Sequence, residues 1–209
     1  SYALQNVNLK IKNGRHLAVV GRNGSGKTTF IKLMCRLYDV TDGEILINGV
    51  NIKDYTRDSI VKLYSVVFQD FKIFSVSLKD NVCANADFNN HRLYACLENA
   101  NIRDRAERLP NKENTYLYKD LDKSGVEISG GEAQKLALAR ALYKDAPVVV
   151  LDEPTAALDP IAENEIYSRF NTFVQNKTAI YISHRLSSCA FCDEIAVFDK
   201  SRLVESGTH

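Results

Sequence analysis

The 209-residue sequence predicts an α/β fold built on a largely parallel sheet, and three observations carry that expectation. Short runs rich in Val and Ile recur at "LAVV" (17–20), "ILIN" (45–48), "SVVF" (65–68), "VVVLD" (148–152), "AIYIS" (179–183) and "IAVFD" (195–199). Runs of this length suit strands covered on both faces. Helical patterns lie between several of them, and strand–helix alternation marks α/β architecture. The first run also leads directly into a glycine-rich loop, "GRNGSGKT" (21–28), that opens a helix.

Along the chain, Phe30, Ile31, Met34, Leu37 and Tyr38 follow the spacing of a buried stripe and predict a helix over 27–38. Residues 79 to 127 contain helical stretches and no strong strand candidate. A mainly helical subdomain over about 71–145 is therefore expected, inserted into a core of about 1–70 and 146–209 within one domain. The mixed-charge stretch "RDRAER" (103–108) reads as a solvated helix face. "ISGGEAQKLALARAL" (128–142) reads as a long helix whose head, with free backbone N–H groups and the positive dipole end, suits an anion. There are no internal repeats and no sustained heptads.

Composition narrows the class. Hydrophobic residues are 45% and charged residues 25%, as in ordinary globular proteins. The formal net charge of +1 argues against nucleic acid or an acidic membrane surface as partner. No apolar run approaches the roughly 20 residues of a membrane span, and no signal peptide is visible. The 5 cysteines, Cys35, Cys83, Cys96, Cys189 and Cys192, are scattered and read as reduced thiols. "CAFC" (189–192) reads as helix-packing cysteines, since a zinc site needs two further ligands. A first residue Ser1 and a lone Met34 predict a domain excised from a longer sequence, soluble as a fragment.

The chemistry is concentrated at strand ends. "GRNGSGKT" matches G-x-x-x-x-G-K-[ST] in the strand-to-helix context that motif needs. Its glycines allow a tight loop whose N–H groups, from Asn23 through Gly24, Ser25, Gly26, Lys27, Thr28 and Thr29, wrap phosphate. Lys27 adds charge for the β- and γ-phosphates, and the Thr28 hydroxyl suits Mg²⁺. "VVVLDEP" (148–154) is an apolar strand ending in two acids. Asp152 is placed to hold the metal and Glu153 to orient or deprotonate an attacking water. Gln69 and His184 also end apolar runs. Each is either a satisfied turn residue or a neighbour of the γ-phosphate, with Gln69 reaching the metal and His184 holding Glu153.

The order "GRNGSGKT", Gln69, "ISGGE", "VVVLDEP", "AALD" and "ISHRL" resembles the nucleotide-binding domain of ATP-binding cassette (ABC) proteins over nearly the whole chain. That resemblance implies a P-loop NTPase cassette with a RecA-like parallel core, an antiparallel β portion and an inserted helical subdomain. It implies ATP and Mg²⁺ as cofactors, with Thr28, Gln69 and Asp152 on the metal and Lys27, Gln69, Glu153 and His184 serving hydrolysis. It also implies a second nucleotide-binding domain, identical or not, packed head to tail. Ser129, Gly130 and Gly131 would then touch the ATP held by the other copy, and Asp159 would cross the interface.

"ISHRLS" (182–187), "LVESGTH" (203–209) and "FKIFSVSLKDNV" (71–82) are similar to exporters whose ATPase domain works with membrane helices, at the cytoplasmic face of the membrane. The transmembrane domain is absent from this chain. Phe71, Ile73 and Phe74 are either docking residues for it or subdomain core. "GVEISGGEAQKLALARAL" with "AALDPIAE" is most like exporters of lantibiotics and other peptides. Glu132 stands where the family often has Gln, "YKDLDKSG" (118–125) lacks the usual Glu-Arg-Gly, and the adenine-stacking aromatic lies upstream, with Tyr2 expected to pack at a strand start.

Overall fold

The computed structural model of the chain describes residues 3–84, 86–153, 168, 170–183 and 190–208. The chain divides into two compact units, Ser1–Val66 with Ala146–Glu153 and Asn176–His209, and Val67–Asp145 with Pro154–Gln175.

The first unit starts with β1 (His16–Gly21) and α1 (Lys27–Met34), then β2 (Leu46–Ile47), β3 (Val50–Asn51), α2 (Arg57–Leu63) and β4 (Tyr64–Val67). β5 (Val148–Asp152), β6 (Thr178–Ser183), β7 (Glu194–Asp199) and β8 (Arg202–Thr208) follow. Together they form a 6-stranded sheet in the order β4-β5-β6-β1-β7-β8 and a separate 2-stranded sheet, β2-β3. β5, β6, β1 and β7 run parallel, with Val150 opposite Ile180, Leu17 opposite Ile180 and Val19 opposite Ala196. Every residue of β6 is buried, as a strand covered on both faces should be. Phe30 of α1 packs on Phe198 of β7 with ring centroids 5.3 Å apart, fixing that helix to the sheet.

Three expectations need correction here. "ILIN" does not enter the parallel sheet. Leu46 and Ile47 pair antiparallel with Val50 and Asn51, and Leu46 is 51% exposed. The reason is local: Asn48 and Gly49 both take positive φ, 50° and 82°, the geometry of a type I′ hairpin turn, which Asn-Gly favours. The helix expected over 27–38 stops at Met34. Arg36 turns to φ 52° and its guanidinium donates to the Tyr55 carbonyl, leaving Leu37 and Tyr38 exposed. β8 arises from the tail read only for its likeness to exporters. It pairs antiparallel with β7 and is exposed along most of its length, a polar edge that discourages further pairing.

The second unit is helical, with α3 (Leu78–Cys83), α4 (Asn90–Asn99), α5 (Arg103–Glu107) and α6 (Gly130–Lys144). Between 79 and 127 the described residues form only isolated bridges, such as Leu117 with Val126. α6 packs against both α3 and α4, burying Leu136, Leu138 and Leu142 with Leu78, Val82, Leu93 and Leu97. At about 25 cal/mol per Å² of apolar surface, clusters of this kind supply most of the drive to fold. Among the described residues no helix is long and apolar enough to cross a membrane.

Candidate functional site

β1 delivers the chain into the loop at Gly21. A Cβ there would lie 2.2 Å from the Phe198 carbonyl oxygen and 2.7 Å from Ser25 Oγ, so only glycine lets the loop close against β7. At the other end Gly26 caps α1 with φ 104°, and a Cβ would lie 2.5 Å from Leu4. The turn between β7 and β8 braces the loop from below, where Ser201 N–H donates to the Ser25 carbonyl at 3.2 Å. Ser201 in turn accepts from Gln5 N–H at 2.8 Å. Sequence reasoning missed this brace. Its signal was the "DKSR" turn (199–202), where Lys200 and Ser201 both have positive φ.

Lys27 is 6% exposed. Its ammonium donates to the carbonyls of Gly21 at 2.7 Å and Arg22 at 3.1 Å. Among the described residues no carboxylate pairs with it, and its charge is met there only by carbonyl oxygens. Ser25 is 3% exposed, and its Oγ has no hydrogen-bond partner among the described residues. A buried hydroxyl without a partner costs about 1–3 kcal/mol unless a ligand satisfies it. Asn23 and Gly24 are exposed at the tip, and Thr29 is half-buried. The loop therefore offers a buried cation, an orphaned hydroxyl and free helix-start amides to one small anionic group, which fits a phosphate chain.

The acid strand converges on the same place. Thr28 Oγ1, on the exposed first turn of α1, donates to Asp152 Oδ2 at 3.1 Å. Asp152 is 2% exposed at the end of β5. A hydroxyl and a carboxylate oxygen at this spacing are hard-oxygen donors of the kind Mg²⁺ takes. Glu153 leaves the strand with φ 49°, its N–H still tied to the Ile182 carbonyl at 3.0 Å, so its side chain is not part of the β5 alternation. The far end of β1 is anchored by Asp193, which accepts from His16 N–H at 2.8 Å and Arg15 at 3.0 Å. The His16 main-chain bond first, then Arg15, holds that carboxyl below the usual range against the opposing effect of burial.

Gln69 lies exposed in the second unit, in the turn after β4. Phe71 and Ile73 are half-buried and Phe74 is 60% exposed. His184, Asp159, Tyr2 and Cys189 lie outside the described residues.

The head of α6 is a closed capping box. Ser129 Oγ accepts from Glu132 N–H at 3.2 Å, and Glu132 Oε2 accepts from Ser129 N–H at 2.7 Å. Glu132 Oε1 also takes Arg105 Nε at 2.7 Å. Burial pushes the Glu132 carboxyl up, but the Ser129 bonds and Arg105 outweigh it and its pKa is lowered. Arg105 is thus not part of a purely solvated face, as 103–108 was read, and Ala106 beside it is buried. Gly130 is exposed, and a Cβ there would meet nothing within 4 Å. Its own unit does not require a glycine at that position.

A family model described as ABC transporter matches residues 4–156. The chain is 41% identical over 209 residues to the subtilin transport ATP-binding protein SpaT of Bacillus subtilis, covering 99% of this chain and 34% of that protein. It is 38% identical over 209 residues to the ATP-dependent lipid A-core flippase of Idiomarina loihiensis, covering 99% of this chain and 35% of that one. Among solved structures, a bacterial Atm1-family ABC exporter with ATP bound matches with a TM-score of 0.91 and 35% identity, over 99% of this chain and 36% of that one. The chain thus spans 34% to 36% of the length of these proteins.

Proposed function

The chain belongs to the ABC transporter family, and from that premise we propose that it binds MgATP and hydrolyses it to ADP and phosphate, powering efflux through a membrane partner. The observation that carries this reading is the 3.1 Å bond from Thr28 to Asp152. It joins the phosphate loop to the acid-ended strand, the two halves that a metal-assisted phosphoryl transfer needs at one point.

In this reading the loop amides from Asn23 to Thr29, the Ser25 hydroxyl and Lys27 bind the phosphates. Thr28 and Asp152, with Gln69, would hold the metal, which when bound supplies charge neutralisation for the transferred phosphoryl group. Glu153 orients the attacking water and accepts its proton, and His184 holds Glu153 in place. The work left to the protein is positioning and charge stabilisation rather than covalent chemistry.

Two copies would act together, the same chain or a related one. Ser129 keeps its hydroxyl proton unused among the described residues, and Gly130 leaves open space above the helix head. Both suit the approach of a phosphate held by another loop, with Asp159 reaching across. The membrane partner is a transmembrane domain, placing this domain at the cytoplasmic face of a membrane, with a peptide as the cargo. Phe74 and its neighbours would receive that partner, since an apolar ring so exposed suits a contact surface. The 41% identity to a subtilin transport ATP-binding protein supports a transport role.

Glu153→Gln tests the assignment. Binding of MgATP is expected to persist, turnover to fall by at least about 100-fold as for loss of a general base, and a nucleotide-dependent dimer to accumulate. Turnover equal to the parent protein would remove Glu153 from its role.

A further inference from the structure

Inside the helical unit, α6 is bonded to the segment that follows Gln69. Arg140 sits about 16 Å along the axis from Ser129, at roughly 1.5 Å per residue. Its Nε donates to the Asn81 carbonyl at 2.7 Å, Nη1 to the Lys72 carbonyl at 3.0 Å and Nη2 to Asn81 Oδ1 at 3.2 Å. The guanidinium carbon lies 5.5 Å from the centre of the Phe74 ring, within range of a cation–π contact.

Asn81 completes the tie. It is 2% exposed, and its side chain takes both main-chain groups of Phe74. Oδ1 accepts from Phe74 N–H at 2.9 Å, and Nδ2 donates to the Phe74 carbonyl at 2.9 Å. Nδ2 also donates to the carbonyls of Ser77 at 3.1 Å and Val76 at 3.3 Å. The segment 72–77 is thus held by two side chains, one from α3 and one from α6. Beside them, the Leu117 N–H donates to the Val76 carbonyl at 3.0 Å, the Ser75 hydroxyl donates to Asp120 and Ser77 bridges to Tyr116.

The chemistry of this tie is unusual for simple packing. No described carboxylate pairs with Arg140, whose charge rests on carbonyl oxygens and a ring face while partly desolvated. Burial lowers its pKa, yet a guanidinium stays charged. A site needing only stability is often served as well by an apolar side chain. The planar fork does what an apolar side chain cannot, fixing α6 at once to Lys72 and to Asn81.

We propose that Arg140 and Asn81 are positioning residues that make the head of α6 and the segment 72–77 move as one body. A partner's approach to Ser129 then resets the exposed ring of Phe74, and a load on Phe74 resets Ser129. This rests on the nucleotide-driven pairing proposed above and deepens it by naming the link within the helical unit. The link consists of the rigid helix from Ser129 to Arg140 and the bonds of Arg140 to Lys72 and Asn81. The exchange experiment below supplies the coupling evidence it needs.

Amide hydrogen exchange on the full-length protein, with and without MgATPγS, tests it. In the parent protein, nucleotide is expected to slow exchange over 21–28 and, by about five-fold or more, over 72–77. In Arg140→Met the response over 21–28 should persist and the response over 72–77 should vanish. The quantity read is the nucleotide-dependent change, which a merely structural bond would leave intact whatever it did to the resting rates. Arg140→Lys, which keeps the charge but not the fork, takes over if the Met variant does not fold, and the same loss is expected. An equal response over 72–77 in parent and variant, or none in the parent despite protection of 21–28, overturns the link alone. No protection of 21–28 in the parent overturns the nucleotide reading, and the link with it.

Discussion

Ser25 has a hydroxyl that is buried and, among the described residues, without a partner, while its main-chain carbonyl is held by Ser201. Removing the hydroxyl breaks no hydrogen bond among the described residues. Ser25→Ala is therefore expected to leave the melting temperature unchanged or slightly raised, while weakening nucleotide binding by about 1.5–3 kcal/mol, the scale of one hydrogen bond to a charged group. Calorimetric melting and titration with MgATP separate the two effects. A loss of stability without a loss of affinity would mean that the hydroxyl serves the fold. The same residue illustrates how far spacing alone reaches. The motif identified Ser25 as a loop residue, but only the folded loop shows that its hydroxyl is buried, close against Gly21. Lys27 is similar: its charge was legible in the sequence, and its freedom from any described carboxylate was not.

The elements differ in how far local chemistry decides them. α6 is locally determined. Ser129 and Glu132 stand three residues apart, the spacing of a capping box, and both reciprocal bonds form. Glu132→Ala should cost about 1 kcal/mol of stability at neutral pH. The folded-state pKa of Glu132 is lowered, so its contribution is present above the unfolded value and fades as pH falls through the folded one. The gap between parent and variant in urea unfolding should therefore close in acid, below the ordinary glutamate range. A gap that stayed constant from neutral pH into acid would show that helix propensity, not the ionised cap, was lost. The hairpin β2–β3 was also locally determined, since Asn48-Gly49 demands a tight antiparallel turn. There the apolar run masked the turn chemistry. α1 went the other way: its apolar spacing continues to Tyr38, but the tie of Arg36 to the Tyr55 carbonyl, a contact invisible in the sequence, ends the helix at Met34.

At the scale of the whole molecule, the proposal of two half-sites makes a prediction about concentration. Hydrolysis per chain is expected to rise with protein concentration and then saturate, because each phosphate loop needs the α6 head of another copy. A flat rate from a protein that sizes as a monomer would mean that one chain suffices. The sequence by itself determined the apolar strand runs, the phosphate loop, the acid-ended strand and the capped helix head. Each of these is fixed by neighbours within a few residues, through strand periodicity, turn geometry and capping. Only the tertiary structure decided that Thr28 meets Asp152, that Ser201 supports Ser25 and that Arg140 grips Lys72 and Asn81. Those contacts join residues far apart in the chain, and their pairing follows from how strands order themselves and helices pack, which no local pattern encodes.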